Sequence, residues 1–224
     1  MTICHNVKQN FLEFYKNNSI NYIIYASSSS VYGNTREMDE QSPANHPLNP
    51  YAFTKKSMEL LAKVHSYLYK TNTIGLRFFT VYGPWGRPDM AYYQWTKALI
   101  ENKPIKLYGT GEQRRDFTYI DSITGAIIKL IQIDDFNHQN YIYNLGSRSP
   151  EKMIDIINYL ETLTGKKAII ENLPFQKGDI EYTFNQSQLF EKTFHCHLNF
   201  PIIKGLELFV KWYEKYQRII IKEE

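Results

Sequence analysis

The residues with the clearest chemical potential are Tyr51 and Lys55, four positions apart in a segment with helical periodicity. Residues at this spacing lie about 40° apart around a helix axis, so their side chains can reach each other. A tyrosine hydroxyl, with a reference pKa near 10, is a poor base at neutral pH, but a nearby ammonium and a position in a first helical turn both favour the phenolate. The pair could therefore act as a general base, although this spacing also arises often by chance.

A run of four serines, 27–30, precedes that pair by about twenty residues. It directly follows an apolar segment, residues 22–26, that predicts a buried strand. Ligands of open α/β sheets bind at the carboxyl ends of strands, which is where this run would lie. Serine hydroxyls can both donate to and accept from a substrate hydroxyl, and nearby backbone amides can hold an anion. Alone, such a run is more often a solvated turn, but its order before Tyr51 and Lys55 favours a functional site.

The elements that would position these residues alternate between strands and helices. Asn49 and Pro50 predict an N-cap and a first helical position, and the helix is expected to end near Lys70. Its predicted core face comprises Leu61, Val64 and Leu68. Further helices are predicted from residues 7, 91, 120 and 153, and further strands at 74–79, 105–108, 141–145 and 168–171. This alternation is typical of a parallel α/β sheet.

The composition limits the class of protein. With 224 residues, of which 43% are hydrophobic and 22% charged, the chain can bury a core. A formal net charge of +3, without a run of five like charges, predicts no nucleic-acid partner. No long apolar stretch or basic leader is present, so we expect no membrane span or signal peptide. Two cysteines and scattered histidines predict a cytoplasmic protein with no metal site.

Several motifs resemble the extended short-chain dehydrogenase/reductase (NAD-dependent epimerase/dehydratase) family of nucleotide-sugar enzymes. That family has a strand, Ser/Thr, Val-Tyr-Gly, Tyr-x-x-x-Lys and Leu-Arg-aromatic-Phe, and this chain has Val31-Tyr32-Gly33 and Leu76-Arg77-Phe78-Phe79 in the same order. The resemblance is strongest to UDP-glucuronate 4-epimerases. It rests on Gly86-Arg87-Pro88-Asp89-Met90-Ala91, on residues 115–121, and on Gln176-Lys177-Gly178-Asp179, where lysine replaces the family's proline.

The resemblance implies catalytic roles for Tyr51, Lys55 and Ser28. Tyr51 would take the proton of the sugar C4 hydroxyl as hydride leaves C4 for NAD, and Ser28 would share that proton's hydrogen-bond network. Lys55 would hold the nicotinamide ribose and lower the pKa of Tyr51. The 4-keto sugar would then turn over and take hydride back on its opposite face. Cofactor contacts are expected at Lys55, Tyr51 and Phe78.

Substrate contacts are expected at Ser29, Ser30, Thr80, Arg87, Arg115, Gln176 and Asp179. The three hydroxyl residues would line a pocket for the uronate carboxylate, because hydroxyls and amides hold an anion without a buried countercharge. The two arginines are candidates for the diphosphate or the carboxylate, since a guanidinium binds such oxyanions through two parallel hydrogen bonds. An isolated arginine, by contrast, is usually a surface charge.

The resemblance also implies the fold, a truncated Rossmann-type parallel sheet plus a smaller C-terminal α/β substrate-binding lobe. Residues 1–83 and 116–146 would form the C-terminal part of the Rossmann-type domain, and residues 84–115 and 147–224 the lobe. The family's usual dimer uses the helix that bears Tyr51, so a homodimer is one expected assembly.

Two related activities are disfavoured by the residues after the first strand. At this point the 4,6-dehydratases have Thr-Asp-Glu and the uronate decarboxylases have a glutamate, whereas this chain has Ser28-Ser29-Ser30. Without a carboxylate beside the sugar ring, an epimerase that only moves a hydride is the better interpretation. Galactose-type 4-epimerases remain an open alternative.

The chain departs from the family at the cofactor. No segment resembles Gly-x-x-Gly-x-x-Gly, the turn that holds the NAD pyrophosphate at a helix N-terminus. Two hypotheses therefore stand. In the first, the chain belongs to a UDP-glucuronate 4-epimerase and is inactive alone until a complementing N-terminal chain supplies that turn. In the second, it is a catalytically silent fragment or interaction subunit that keeps a UDP-sugar pocket without binding NAD.

Overall fold

The structure is a computed structural model that describes residues 22–133, 139–175 and 178–223. The helix predicted from residue 7 and the predicted substrate residue Gln176 lie outside these ranges. Contacts divide the chain into two compact units. Unit 1 comprises residues 1–79, 125–145 and 185–197, and unit 2 comprises residues 80–124, 146–184 and 198–224. The division into a Rossmann-type domain and a substrate lobe, which was inferred from resemblance, remains a prediction.

Strands and helices alternate along the described residues. The strands are β1 (Tyr22–Ser28), β2 (Asn72–Phe78), β3 (Thr80–Tyr82), β4 (Ile105–Tyr108), β5 (Arg114–Tyr119), β6 (Asn140–Leu145), β7 (Pro150–Lys152) and β8 (Ile170–Leu173). The α-helices are α1 (Pro50–Tyr69), α2 (Ala91–Ile100), α3 (Ile120–Ile131), α4 (Met153–Thr164), α5 (Leu189–Phe194) and α6 (Ile202–Glu223). Within the described ranges, none of these helices is both long and apolar enough to cross a bilayer.

Unit 1 contains a parallel sheet in the order β1-β2-β6. The central strand β2 is buried along Asn72–Arg77, as expected for a parallel strand covered on both faces. Its register places Phe78 beside Ser28 on one side and beside Leu145 on the other. The carboxyl ends of the three strands therefore coincide, and the predicted parallel α/β sheet is confirmed.

Helix α1 begins as the sequence predicts, but it buries a partly different face. The Asn49 side chain accepts a hydrogen bond from the Ala52 N–H, and Pro50 occupies the first turn. Of the predicted core face, Leu61 is partly buried and packs against Ile23 of β1, but Val64 is 54% exposed and Leu68 is 58% exposed, so the prediction was wrong for these two residues. The buried residues are Ala52, Met58, Glu59, Ala62, His65 and Ser66. This face can be polar because its charged and ring groups have partners, such as Arg77 for Glu59 and Thr71 for His65.

Unit 2 contains two small sheets and an aromatic core. Strand β5 pairs with β3 in parallel and with β7 antiparallel, and β4 pairs with β8 in parallel. Strand β5 was not predicted, because its first residues form a basic segment. The core holds Tyr82, Tyr92, Tyr93, Trp95, Phe117, Tyr119, Phe209 and Tyr213, together with aliphatic residues of α2, α4 and α6.

A fully buried carboxylate, Asp116 of β5, holds the turn that leads into β7. Its Oδ1 accepts hydrogen bonds from the Ser147 N–H at 2.7 Å and the Ser147 hydroxyl at 2.8 Å, and its Oδ2 accepts from the Arg148 N–H at 3.0 Å. Hydrogen bonds to an ionised acceptor are stronger than neutral ones, so this side chain fixes the turn against β5.

Candidate functional site

Tyr51 and Lys55 share one face at the start of α1, as their spacing predicts. Lys55 Nζ lies 5.6 Å from the centroid of the Tyr51 ring and donates a 2.8 Å hydrogen bond to the carbonyl oxygen of Ala26 in β1. Tyr51 is 52% exposed. The phenol therefore does not lie in packed apolar interior, and its ammonium neighbour is anchored near the carboxyl end of β1.

The serine run forms the turn that follows β1. Ser28 ends the strand and caps a 3₁₀ turn, Ser29–Tyr32. Its Oγ accepts hydrogen bonds from the Ser30 N–H at 3.2 Å and from the Ser30 hydroxyl at 2.9 Å. A hydroxyl has two lone pairs and one proton, so Ser28 can accept these bonds and still donate its own proton to another oxygen. Ser29 is only 7% exposed, and Ser30 is half-buried.

A buried ion pair beside this turn was missed by the sequence analysis. Arg77 donates from Nε to Glu59 Oε1 and from Nη2 to Glu59 Oε2, both at 2.8 Å. Burial alone would raise the pKa of Glu59, but the hydrogen bonds and charge of Arg77, with a hydrogen bond from Ser27, hold it below its usual range. Glu59 stands four residues after Lys55, and Arg77 interrupts an apolar strand. Those two positions were the available signals.

The network extends to the third strand of the sheet. Arg77 Nη1 donates to the Tyr32 hydroxyl at 2.8 Å, and this hydroxyl lies 2.7 Å from Asn144 Oδ1 of β6. Burial raises the pKa of Tyr32 to about 12, although Arg77 and Asn144 act in the opposite direction. Tyr32 therefore stays protonated at neutral pH and serves as a hydrogen-bonding link.

In unit 2 the structure brings together two predicted substrate residues, Arg115 and Asp179. Arg115 Nη2 lies 3.0 Å from Asp179 Oδ1, with 15% of the arginine side chain and 45% of the aspartate side chain exposed. Burial lowers the pKa of Arg115, and the charge and hydrogen bond of Asp179 oppose this effect. An arginine remains a cation in either case.

These two residues line a cavity of about 320 Å³. The other lining residues are Asp89, Ala91, Gln94, Trp95, Lys106, Leu107, Tyr108, Gln113 and Met153. The cavity thus presents a guanidinium, an ammonium, two carboxylates and aromatic rings, and a ligand with a planar ring, hydroxyls and anionic oxygens would find a partner for each of these groups.

The other predicted residues in the described ranges do not line this cavity, although Arg87 pairs with one of its lining residues, Asp89. Arg87 is a surface residue, 73% exposed at its side chain, and pairs with Asp89 at 2.9 Å. Thr80 begins β3 and pairs in register with Phe117. Their substrate contacts remain predictions. Within the part of the chain that the structure describes, no cluster of three His, Cys, Asp or Glu residues could hold a metal ion.

Comparison with solved structures supports the fold. A UDP-glucuronic acid 4-epimerase from Bacillus cereus, solved in complex with UDP-glucuronic acid and NAD, superposes with a TM-score of 0.89 at 32% identity. The match covers 94% of this chain and 67% of that chain. A likeness of this extent confirms the Rossmann-type α/β architecture.

Sequence comparison gives a consistent result. A UDP-glucuronate 4-epimerase from Thermodesulfobacterium geofontis is 39% identical over 205 residues, which are 91% of this chain and 62% of the relative. A probable UDP-glucuronate 4-epimerase from Rhizobium meliloti is 35% identical over 227 residues, covering 93% and 67%. This chain thus spans about two thirds of the length of these relatives. The sequence model of the NAD dependent epimerase/dehydratase family also matches residues 2–146. The chain therefore belongs to that family.

Proposed function

We propose that this chain carries the catalytic residues and substrate pocket of a UDP-glucuronate 4-epimerase, which interconverts UDP-glucuronate and UDP-galacturonate. The observation that carries the proposal is the half-exposed Tyr51, paired with Lys55, whose ammonium is bonded to Ala26 of β1, two residues before Ser28. The UDP-glucuronate 4-epimerases among its relatives support the choice of substrate.

The proposed chemistry is a reversible proton transfer at the sugar C4 oxygen. Tyr51 accepts the C4 hydroxyl proton as the alcohol is oxidised to a ketone, and it returns that proton when the ketone is reduced on its opposite face. The Ser28 hydroxyl donates to the C4 oxygen and so stabilises the carbonyl dipole. NAD, when bound, supplies the hydride acceptor and donor for C4. Protons and electrons balance over the cycle, and only the C4 configuration changes.

The residues present fit one end of that cofactor. An ammonium is a suitable donor to the hydroxyls of a nicotinamide ribose, and Lys55 places one beside the half-exposed Tyr51, with Phe78 at the adjacent strand end. The 224 residues contain no Gly-x-x-Gly-x-x-Gly motif for the pyrophosphate. We propose that this turn is supplied by a segment outside these residues, or by a second polypeptide.

The cavity of unit 2 is the proposed site for the UDP moiety. The Arg115 guanidinium would bind diphosphate oxygens, and Asp179 would accept from ribose hydroxyls. Aromatic rings at Trp95 and Tyr108 suit a pyrimidine base. Ser29, Ser30, Thr80 and Arg87 remain the proposed contacts for the uronate carboxylate.

A second candidate is a silent chain that binds a UDP-sugar without redox chemistry. The missing glycine-rich motif favours it. Titrating the chain alone with reduced cofactor, followed by cofactor fluorescence, separates the two functions. Clear binding by the chain alone would count against the silent alternative.

The proposed function is tested by reconstitution. The chain is mixed with a polypeptide that supplies the glycine-rich segment, NAD and UDP-glucuronate, and UDP-galacturonate is followed by NMR. We expect conversion, and we expect Tyr51→Phe to slow it by about 100-fold or more, because proton transfer loses its acceptor. Tyr67→Phe, on the same helix and 76% exposed, is the matched control and should retain full activity. No conversion by the unmodified mixture would refute the proposal.

A further inference from the structure

The helix face of α1 that carries Tyr51 and Lys55 continues to Glu59, which forms the buried ion pair with Arg77. Tyr51, Lys55 and Glu59 stand at intervals of four on α1, each about 40° around the axis from the one before. Exposure falls along this stripe, from 52% at Tyr51 through a half-buried Lys55 to 4% at Glu59. The same helix face therefore connects the solvent-facing phenol to the interior of unit 1.

Glu59 joins α1 to two neighbouring strands at once. Its Oε1 accepts from the Ser27 hydroxyl at 2.6 Å and from Arg77 Nε at 2.8 Å, and its Oε2 accepts from Arg77 Nη2 at 2.8 Å. Ser27 immediately precedes Ser28 in β1, and Arg77 immediately precedes Phe78 in β2. Glu59 thus contacts β1 and β2, in each case at the residue that precedes a proposed site residue.

The remaining guanidinium nitrogen fixes the serine turn. Arg77 Nη1 donates to the hydroxyl of Tyr32, the last residue of the turn that Ser28 caps. The guanidinium carbon also lies 4.7 Å from the centroid of the Tyr32 ring. Helix α1, the ends of β1 and β2, and the Ser28 turn therefore share one hydrogen-bonded centre.

The geometry of this centre is restrictive. Two parallel N–H···O bonds constrain both distance and rotation, so they define how α1 is turned about its axis. At a side-chain radius of about 5–6 Å, a rotation of about 10° moves an atom by about 1 Å. A displacement of about 1 Å can cost about 100-fold in rate. Desolvation offsets much of the attraction in a buried ion pair, so geometry is the main effect we expect from it.

We propose that Glu59 and Arg77 are positioning residues that hold α1 at one rotation against β1, and thereby set Tyr51 and Lys55 relative to Ser28. They act through these three residues and do not touch the substrate. The inference rests on the proposed epimerase function, which supplies the reaction by which it is measured.

The test uses the reconstituted mixture and separates kcat from KM. We expect Glu59→Gln, Arg77→Lys and the double variant Glu59→Met/Arg77→Met each to lower kcat by about 10-fold or more per folded chain. The KM for UDP-glucuronate should stay within about 2-fold, because the cavity of unit 2 is unchanged. Lysine keeps the positive charge of Arg77 but cannot make its two parallel hydrogen bonds to the carboxylate, so charge alone should not rescue activity. Folded fractions come from circular dichroism.

Lys56→Met is the matched control. Lys56 also contacts Glu59, at 3.4 Å, but both residues lie on α1, so this contact does not join the helix to β1 or β2. Its kcat should stay within about 2-fold of the unmodified chain. An unchanged kcat in the folded double variant would overturn the proposal.

A second readout does not depend on activity. Crystal structures of the unmodified chain and of Glu59→Met/Arg77→Met should differ in the distances from Tyr51 and Lys55 to Ser28, by more than about 0.5 Å. Unchanged distances would overturn the positioning role. If the unmodified mixture shows no turnover, the epimerase function fails, and this structural comparison alone decides the positioning role.

Discussion

Arg115 combines partial burial with a cavity-facing position, which makes it the residue on which UDP binding should depend most. Arg115 pairs with Asp179 and lines the cavity of unit 2, and 15% of its side chain is exposed. We expect Arg115→Gln to weaken the binding of UDP by about 10-fold to 100-fold, because a charge-assisted hydrogen bond contributes about 1.5–3 kcal/mol. Isothermal titration calorimetry with UDP alone measures this.

The control for that variant is Arg36→Gln. Arg36 is an exposed arginine of unit 1, so its loss changes the net charge equally without altering the cavity. UDP affinity that depends equally on both arginines would indicate a general charge effect, and an unchanged affinity in Arg115→Gln would remove Arg115 from the site.

Spacing along the chain reveals some of these residues and hides others. Tyr51 and Lys55 were predictable because a local interval of four sets their geometry. Glu59 and Asp116 were not, since a carboxylate is normally solvated and is buried only where a partner compensates it. Those partners, Arg77 and Ser147, stand 18 and 31 positions away along the chain. The positions of Glu59 and Arg77 are signals that each residue is unusual, but a single sequence does not show that the two residues pair.

At the scale of elements, the sheet of unit 1 depends on a glycine at its centre. Gly75 of β2 lies where an added Cβ would come within 2.6 Å of the Tyr25 hydroxyl and 2.7 Å of Ile142 Cδ1. Tyr25 is buried, so its ring cannot move away freely. We expect Gly75→Ala to lower the free energy of unfolding by about 1–3 kcal/mol through overpacking, measured by urea denaturation.

Gly125→Ala provides the opposite expectation. Gly125 lies in α3 with open space around the position of a Cβ, and alanine is the better helix former by about 1 kcal/mol. The urea midpoint of unfolding should therefore rise in Gly125→Ala and fall in Gly75→Ala, relative to the unmodified chain. Equal effects of both substitutions would contradict the packing argument.

Periodicity identified most elements, but not every buried face. The N-cap and length of α1 were correct because capping is a local interaction. Its core face was correct for Leu61 but wrong for Val64 and Leu68, because apolar residues were assumed to mark it, whereas the interior of unit 1 also accepts Glu59, His65 and Ser66. Strand β5 was missed because its first half carries two arginines and Asp116, which mask the alternation of a strand.

At the scale of the whole molecule, α1 leaves an apolar stripe uncovered. Its members recur at helical spacing and are more than half exposed: Leu60, Val64, Tyr67 and Leu68. We expect this stripe to support the homodimer that the family resemblance implies. Val64→Glu should shift sedimentation toward the monomer without unfolding the chain, whereas Lys63→Glu, at an exposed neighbouring position, should not. Monomeric sedimentation of the unmodified chain at tens of micromolar would contradict the expected dimer.

The buried ion pair of unit 1 also links folding to pH. Glu59 has a folded-state pKa below the ordinary glutamate value of about 4.3. Its contribution to stability is therefore present above that value and is lost as the pH falls through the folded-state pKa. Glutamine does not titrate, so the stability of Glu59→Gln should lack the part of the pH dependence that arises from Glu59.

We expect Glu59→Gln to be less stable than the unmodified chain by about 3–5 kcal/mol at pH 7, because Arg77 is left buried without a countercharge. The difference should persist at pH 5 and shrink as the pH falls below the ordinary glutamate pKa, because the unfolded chain then takes up a proton on Glu59 before the folded chain does. Urea denaturation at pH 7, 5, 4 and 3 measures it, with Glu37→Gln at an exposed position of unit 1 as the control. A difference that stays constant across this range would mean that the Glu59 carboxylate is not stabilised in the folded state. Arg77 would then have to be held by its bond to Tyr32 instead.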